Sequence, residues 1–447
     1  AVKLGSKAVR FEFKPGENRE LPLILGQLTV LPKHYWQDRE FDATTLEPPL
    51  GSGPYKIKSV DPNRSVTLER VEDYWGKDLA VAQGENNFDI IEFEYYRDAQ
   101  VAIEAFTGGR FDFRTENSSK AWATAYDVPA VKKGLIKLDQ FDHDRPSGMQ
   151  GFTFNTRRDI FKDPAVRHAL AYAFDFEWSN KNLFYGQYAR TRSYFDNSEL
   201  AATGLPSKAE LELLGPFRGK IPDEVFTKEY NPPSSDGSGR IRSNLRTASK
   251  LLRDAGWVIK DGVRTHEATG RKLEFEILLA SPLFERVVLP FAKNLETLGV
   301  KVRARTVETA QYRRRLDTFD FDMVVGNWGQ SMSPGNEQRE FWGSSSADQE
   351  GSRNIIGIKD PAIDALIEKI IAAPDRQSLI TASRALDRVL QWNHFVIPHF
   401  YAGYDRIAYW DKFGQPKITP TRGTNFMTWW VVPEKAARIA EARKGGN

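Results

Sequence analysis

Residues 151–186 read GFTFNTRRDIFKDPAVRHALAYAFDFEWSNKNLFYG, and this stretch decides how the rest of the chain divides. Phe152 and Phe154 alternate with Thr153 and Asn155, the period of a strand. After a polar turn, Asp163 is placed to cap a helix, with Pro164 at the first helical position, where its missing N–H costs nothing. Val166, Ala169, Leu170, Ala173 and Phe174 then fall on one apolar stripe at helical spacing, and Gly186 ends the run. The expectation is a strand leaving one body and a buried-face helix opening another.

Toward the N-terminus, PPLGSGPYKIKSVDPNRSVTLERVEDYWG at 48–76 reads as a hairpin turning at Asp61-Pro62-Asn63, with Gly51 and Gly53 permitting a tight entry. FDIIEFEYY at 88–96 alternates as a strand, Ala99–Gly109 reads as a short helix, and Phe111–Phe113 as a short strand. The polar stretch 114–134 carries Glu116 and Trp122, which read equally as a cap with a core residue or as a binding pair. Residues 139–149 are charged and broken, as a crossing between bodies would be.

Toward the C-terminus, 199–240 is rich in Pro, Gly and Ser and reads as a long surface excursion. Helical stripes come next at 245–255 and at 284–298, the latter through Pro290, with strands at 273–279 and from Val300. FDFDMVVGNWGQSMSPGNEQREFWGSSS at 319–346 is the candidate ligand stretch. Its strand empties into a glycine-punctuated loop, and open α/β sheets bind ligands beyond strand C-termini. Trp328 could stack on a ligand or fill the core, while Gln330, Ser331 and Asn336 offer neutral hydrogen-bonding groups. Arg353, Asn354, Asn155 and Tyr401, with Glu116 and Trp122, complete the candidate binding set. Residues 395–410 read as an apolar strand region returning to the first body, and Met427–Val432 as the last strand.

The chain of 447 residues exceeds one typical core. Its 63 basic and 60 acidic residues are interspersed, which argues against a nucleic-acid surface. It has no cysteine, so thiolate chemistry and disulfides are excluded. No 18-residue apolar run occurs, and no signal peptide is recognisable at the start. Six scattered histidines form no zinc pattern, no G-x-S-x-G elbow occurs, and Asp320 with Asp322 reads as a solvated face. No cofactor, metal or catalytic residue is expected. A carbohydrate-active enzyme, whose two carboxylates need no local spacing, is the enzymatic alternative.

Asn155, Asp163, Val166, Arg167, Ala169, Leu170, Ala173, Asp175 and Gly186, in that order, resemble the segment opening the second large lobe of family 5 extracellular solute-binding proteins. Gly51-Ser52-Gly53-Pro54-Tyr55, Asp73-Tyr74-Trp75-Gly76 and Gly109–Asp112 resemble the same family, and Glu116–Ser119 with Trp122 resemble its YejA-like branch. The resemblance covers the whole chain. It implies an α/β, bilobal periplasmic-binding-protein fold (type II, large cluster C type), with two mixed-sheet lobes joined by two crossings. Residues 1–35 would be a remnant of a smaller lobe, 36–148 lobe I, 149–398 lobe II and 399–447 the return to lobe I.

The implied function is a periplasmic receptor, a monomer, that captures peptides or peptide-like compounds between its lobes and delivers them to the permease subunits of an ABC importer. A receptor for sugars or opine-like compounds on the same scaffold is the alternative. Dipeptide and oligopeptide branches carry an Asp-Pro pair whose carboxylate holds the ligand's amine. This chain reads Ser333-Pro334, with Glu337 as a shifted substitute. Set beside the family, residue 1 corresponds to a point well inside it. The expectation is an opening portion elsewhere, such as a separate fragment, that would supply partners to strands from Lys7.

Overall fold

In the computed structural model of the protein, Met149–Phe154 (β1), Glu274–Leu279 (β2), Lys301–Thr306 (β3), Met323–Trp328 (β4) and Val396–Pro398 (β5) build one sheet in the order β3-β2-β4-β1-β5. β2 runs parallel to β3 and β4, and β1 is antiparallel to both β4 and β5. Phe152, Thr153 and Phe154 are all buried, so β1 is covered on both faces, as a central strand must be. Gly151 lets β5 approach: a Cβ there would lie 2.3 Å from the Ile397 carbonyl oxygen.

The structure describes residues 1–13, 19–41, 43 and 45–444. The chain forms two compact units, one of Ala1–Gln27 with Arg145–Ala402 and the other of Leu28–Asp144 with Gly403–Asn447. Strands that carry apolar side chains on both faces need a helical layer on each. In the first unit, one layer packs Pro164–Ala171 (α1), Arg242–Asp254 (α2) and Glu285–Thr297 (α3) around Phe152, Phe154, Ile277 and Met323. The other packs Glu337–Trp342 (α4), Pro361–Ile371 (α5) and Arg376–Trp392 (α6) around Leu278, Val324 and Trp328.

The opening of α1 is set by its sequence. Asp163 Oδ1 accepts the Ala165 N–H at 2.8 Å, Pro164 starts the helix, and Val166, Ala169, Leu170, Ala173 and Phe174 are all buried. The single helix read through to Gly186 is corrected: α1 stops at Ala171 and a second helix runs Phe176–Leu183. Asp175 makes the break, its Oδ1 accepting the Trp178 N–H at 3.1 Å as a new N-cap. The excursion at 199–240 is also corrected. It holds helices at Lys208–Leu214 and Glu224–Thr227, and Leu214, Ile221 and Val225 enter the core around Trp328.

In the second unit Tyr55–Asp61, Ser65–Arg70 and Ile90–Glu94 form an antiparallel meander, turning at Asn63 with φ +63°. A second sheet places Tyr404–Trp410 between Phe113–Thr115 and Ile136–Asp142. Ile407 and Tyr409 belong to one apolar cluster, and Ala408 and Trp410 to another. The last strand is Trp430–Val431, paired with Phe413–Gly414, and Phe426–Thr428 is a 3-10 turn rather than strand.

Candidate functional site

β4 ends at Trp328, and the direction of that side chain determines whether the loop beyond it has an aromatic wall or an aromatic floor. Trp328 is 1% exposed. Its ring centroid lies 4.9 Å from that of Trp342, and its indole N–H donates to the Arg353 carbonyl at 3.0 Å. The expected free face for a ligand is therefore corrected: Trp328 closes the core beneath the loop. Gly326 does not open the backbone to a ligand either. A Cβ there would lie 2.8 Å from the Trp328 ring and 2.3 Å from Thr153 Oγ1, so the missing side chain makes room for the indole. Gly329 faces open space.

Beyond Trp328 the polar groups mostly hold one another. Gln338 Nε2 donates to Gln330 Oε1 at 2.7 Å, and Gln338 Oε1 accepts the Trp342 indole N–H at 2.9 Å. Asn336 donates its backbone N–H and its side-chain amide to Glu20 Oε2 at 2.8 and 2.7 Å. Glu337, the substitute acid, accepts the Gly335 N–H at 3.0 Å and so braces its own loop. Ser331 is exposed, accepting the Ser333 N–H at 3.1 Å. Arg353 lies over the Phe341 ring at 4.2 Å and keeps part of its surface.

Asn354 is fully buried and fully used. Its amide donates to the Gly343 and Ile358 carbonyls at 3.0 Å each, and its Oδ1 accepts the Gly357 and Ile358 N–H groups at 3.0 and 2.9 Å. Asn155 lies at the opposite end of the sheet from Trp328, because β1 and β4 are antiparallel. Its amide donates to the Phe319 and Phe321 carbonyls at 3.0 and 2.8 Å. Both asparagines are corrected from contact residues to scaffold. Arg157 ties them together, donating to Asn155 Oδ1 at 3.1 Å and to the Ile355 and Asn354 carbonyls at 3.0 and 3.1 Å. No sequence pattern signals Arg157 or Glu20, since each acts on partners far along the chain.

Tyr401 is half-buried on a two-residue strand paired with Ala189–Arg190. Burial first, then the Asp196 carboxylate, raise the pKa of its hydroxyl. Glu116 and Trp122 lie in the second unit. Glu116 is buried, accepting from Arg114 Nε at 3.1 Å, the Ser118 N–H at 2.9 Å and the Tyr126 hydroxyl at 3.0 Å, while Trp122 packs edgewise on Tyr126. Of the expected pair, Glu116 has its oxygens occupied and Trp122 is half-buried. Of the candidates in the first unit, Gln330, Ser331, Asn336, Arg353 and Tyr401 are not buried.

Three histidines of the first unit are held neutral. His399 is fully buried among Phe152, Phe174, Phe284 and Phe400, with neither ring nitrogen hydrogen-bonded, and His168 stacks on His394 at 4.1 Å. Burial lowers the pKa of His168 and drives those of His394 and His399 well down. Asp387 opposes them. Burial pushes its carboxyl up to about 7 against four donors: the Ser193 hydroxyl, the Tyr194 and Ala202 N–H groups and the Gln391 amide.

A base with a depressed folded pKa contributes stability that is full above its unfolded value, about 6.5, and lost as pH falls toward the folded value. His399→Phe should therefore flatten the loss of stability between about pH 6.5 and 5, read by urea denaturation across that range. A slope equal to wild type would show that His399 titrates normally in the folded chain.

Among the described residues no group of three or more His, Cys, Asp or Glu is placed to hold a metal, and no helix is long and apolar enough to cross a membrane. The mixed sheet with a helical layer on each face, together with a second unit whose central strand arrives last, defines the class: a type II periplasmic-binding-protein fold. The oligopeptide-binding protein AppA of Bacillus subtilis, solved with a nonapeptide, shares it at a TM-score of 0.65 and 20% identity, over 90% of this chain and 72% of AppA. The family model described as bacterial extracellular solute-binding proteins, family 5 Middle, matches residues 1–350, and the chain belongs to that family. It is 46% identical to the probable peptide-binding protein YejA of Agrobacterium fabrum over 95% of this chain and 71% of that protein, which puts it in the YejA branch. It is also 40% identical to the peptidoglycan-binding protein YepA of the same bacterium, over 96% of this chain and 71% of that protein.

Proposed function

We propose that this chain captures peptides or peptide-like compounds in the periplasm and presents them to the permease subunits of an ABC importer, without turning them over. The observation that carries the reading is the 46% identity to a probable peptide-binding protein across nearly the whole chain, on a fold shared with a nonapeptide-bound receptor. Residues 28–144 with 403–447 are read as lobe I and 145–402 as lobe II. Ligand contacts are assigned to the candidates of the first unit that are not buried: Gln330, Ser331, Asn336, Arg353 and Tyr401. The relation to YepA favours a second reading, in which the peptide is a fragment of cell-wall peptidoglycan.

Ser333-Pro334 offers no carboxylate to a ligand amine, and Glu337 already braces its own loop. The ligand amine is therefore read as anchored through neutral groups. N-acetylation of a bound peptide should then cost no more than one hydrogen bond, about 0.5–1.5 kcal/mol. Mass spectrometry of compounds released from the purified chain identifies the ligand, and calorimetric titration of its free and acetylated forms measures the difference. A thousandfold loss on acetylation would reveal an acidic anchor. Steady hydrolysis of the ligand would replace the receptor reading with an enzymatic one.

A further inference from the structure

α2 buries Ala248 and Leu252 in the core of the first unit, and Leu245 and Leu251 pack against the same cluster. Its other face carries Arg242, Arg246, Lys250 and Arg253 at i, i+4, i+8 and i+11, which places four basic side chains in one line along the helix. All four are exposed. Lys250 pairs with Asp254 at 2.8 Å, whereas Arg242, Arg246 and Arg253 have no carboxylate partner among the described residues. Four basic residues against one acidic residue give the helix a charge of +3, equal to the formal net charge of the whole chain. The rest of the chain then sums to zero formal charge. The flanking loops carry both signs, with Asp236, Asp261 and Glu267 beside Arg240 and Lys260.

We propose that this stripe docks on the headgroups of an anionic bilayer leaflet. The stripe spans about 17 Å from Arg242 to Arg253 at the helical rise. Its neighbours along the exposed side are Ser243 and Thr247, and no large exposed hydrophobic side chain belongs to α2. A protein partner would need an apolar or aromatic centre from which charge is depleted, and this surface lacks one. A headgroup layer needs only lateral positive charge and accepts it in any register, each basic residue adding about fivefold to affinity, the equivalent of about 1 kcal/mol. The inference does not depend on what the receptor carries. It concerns which face of the first unit lies toward a membrane.

The test is cosedimentation of the full chain with vesicles of phosphatidylglycerol and phosphatidylcholine, against vesicles of phosphatidylcholine alone, at low and high salt. Wild type should bind only the anionic vesicles and release them at high salt. The variant Arg242→Glu/Arg246→Glu/Arg253→Glu should bind roughly a hundredfold more weakly, that is about fivefold for each of three residues. A second variant, Lys120→Glu/Lys133→Glu/Lys208→Glu, makes the same change in net charge at other exposed positions and should bind nearly as wild type. Equal binding to both vesicles, no binding at low salt, an unaffected stripe variant, or an equal loss in the control variant would each overturn the proposal. Binding of poly-glutamate without binding of vesicles would assign the stripe to an acidic polypeptide instead.

Discussion

Replacing Trp328 with alanine should lower the unfolding free energy of the chain by about 3–5 kcal/mol, the range for deleting a buried large aromatic side chain. The side chain is 1% exposed, lies between Gly326 and Trp342, and donates its indole N–H to the Arg353 carbonyl. Its removal opens a cavity and strands that carbonyl at once. Trp328→Phe keeps most of the volume and loses the hydrogen bond, so a smaller cost of about 1–3 kcal/mol is expected. Urea denaturation followed by circular dichroism measures both. The result that would reverse this assignment is an alanine variant as stable as wild type that binds the ligand more weakly, because a pocket wall behaves in that way and a core residue does not.

The second large effect is at Glu210. Its carboxylate meets Arg388 Nε at 2.6 Å, and both side chains are 3% exposed. Arg388 also donates to the Gly204 and Thr203 carbonyls, at 2.8 and 2.9 Å, so it fastens the 199–214 segment to α6. Removing one partner of a buried pair leaves an uncompensated charge, and Glu210→Ala should cost about 3–5 kcal/mol. Part of that loss is the capping box, since Glu210 also accepts the Ser207 N–H at 3.2 Å. Replacing both partners, Glu210→Met with Arg388→Met, should recover stability relative to the single variant. A double variant less stable than Glu210→Ala would mean that the arginine contributes mainly through the two carbonyls.

Local chemistry determines what is legible in the sequence. The Asp163 cap closes on an N–H two residues away, and the turn at Asn63 needs only its own left-handed backbone. The break at Asp175 is hidden because the apolar stripe continues to Phe174, and the carboxylate decides the matter by capping Trp178. The helices at 208–227 are masked by their proline- and glycine-rich setting. The first of them is fastened by Arg388, far along the chain, which supplies the countercharge to Glu210.

At the candidate site the difficulty is direction rather than identity. Trp328, Asn155 and Asn354 stand out in the sequence as unusual, and each has a specific task. Whether each turns toward solvent or core is set by Trp342, Phe321 and Gly343, which no local spacing reveals. Glu20 reaches Asn336 across 316 positions, a distance at which a single sequence is silent.

The position of β1 in the middle of its sheet sets the order of events during synthesis. Phe152 pairs with Val325 on one side and with Ile397 on the other, partners 173 and 245 positions later in the chain. The second unit waits longer still, because its central strand, Tyr404–Trp410, pairs with residues 113–115 and 136–142. Contact order this high makes folding slow, since long loops must close before any pairing repays them. The two sheets are complete only once Val396–Pro398 and Tyr404–Trp410 have been made. The nascent chain is therefore committed to a long unfolded interval, which is also the state in which a polypeptide can be threaded across a membrane.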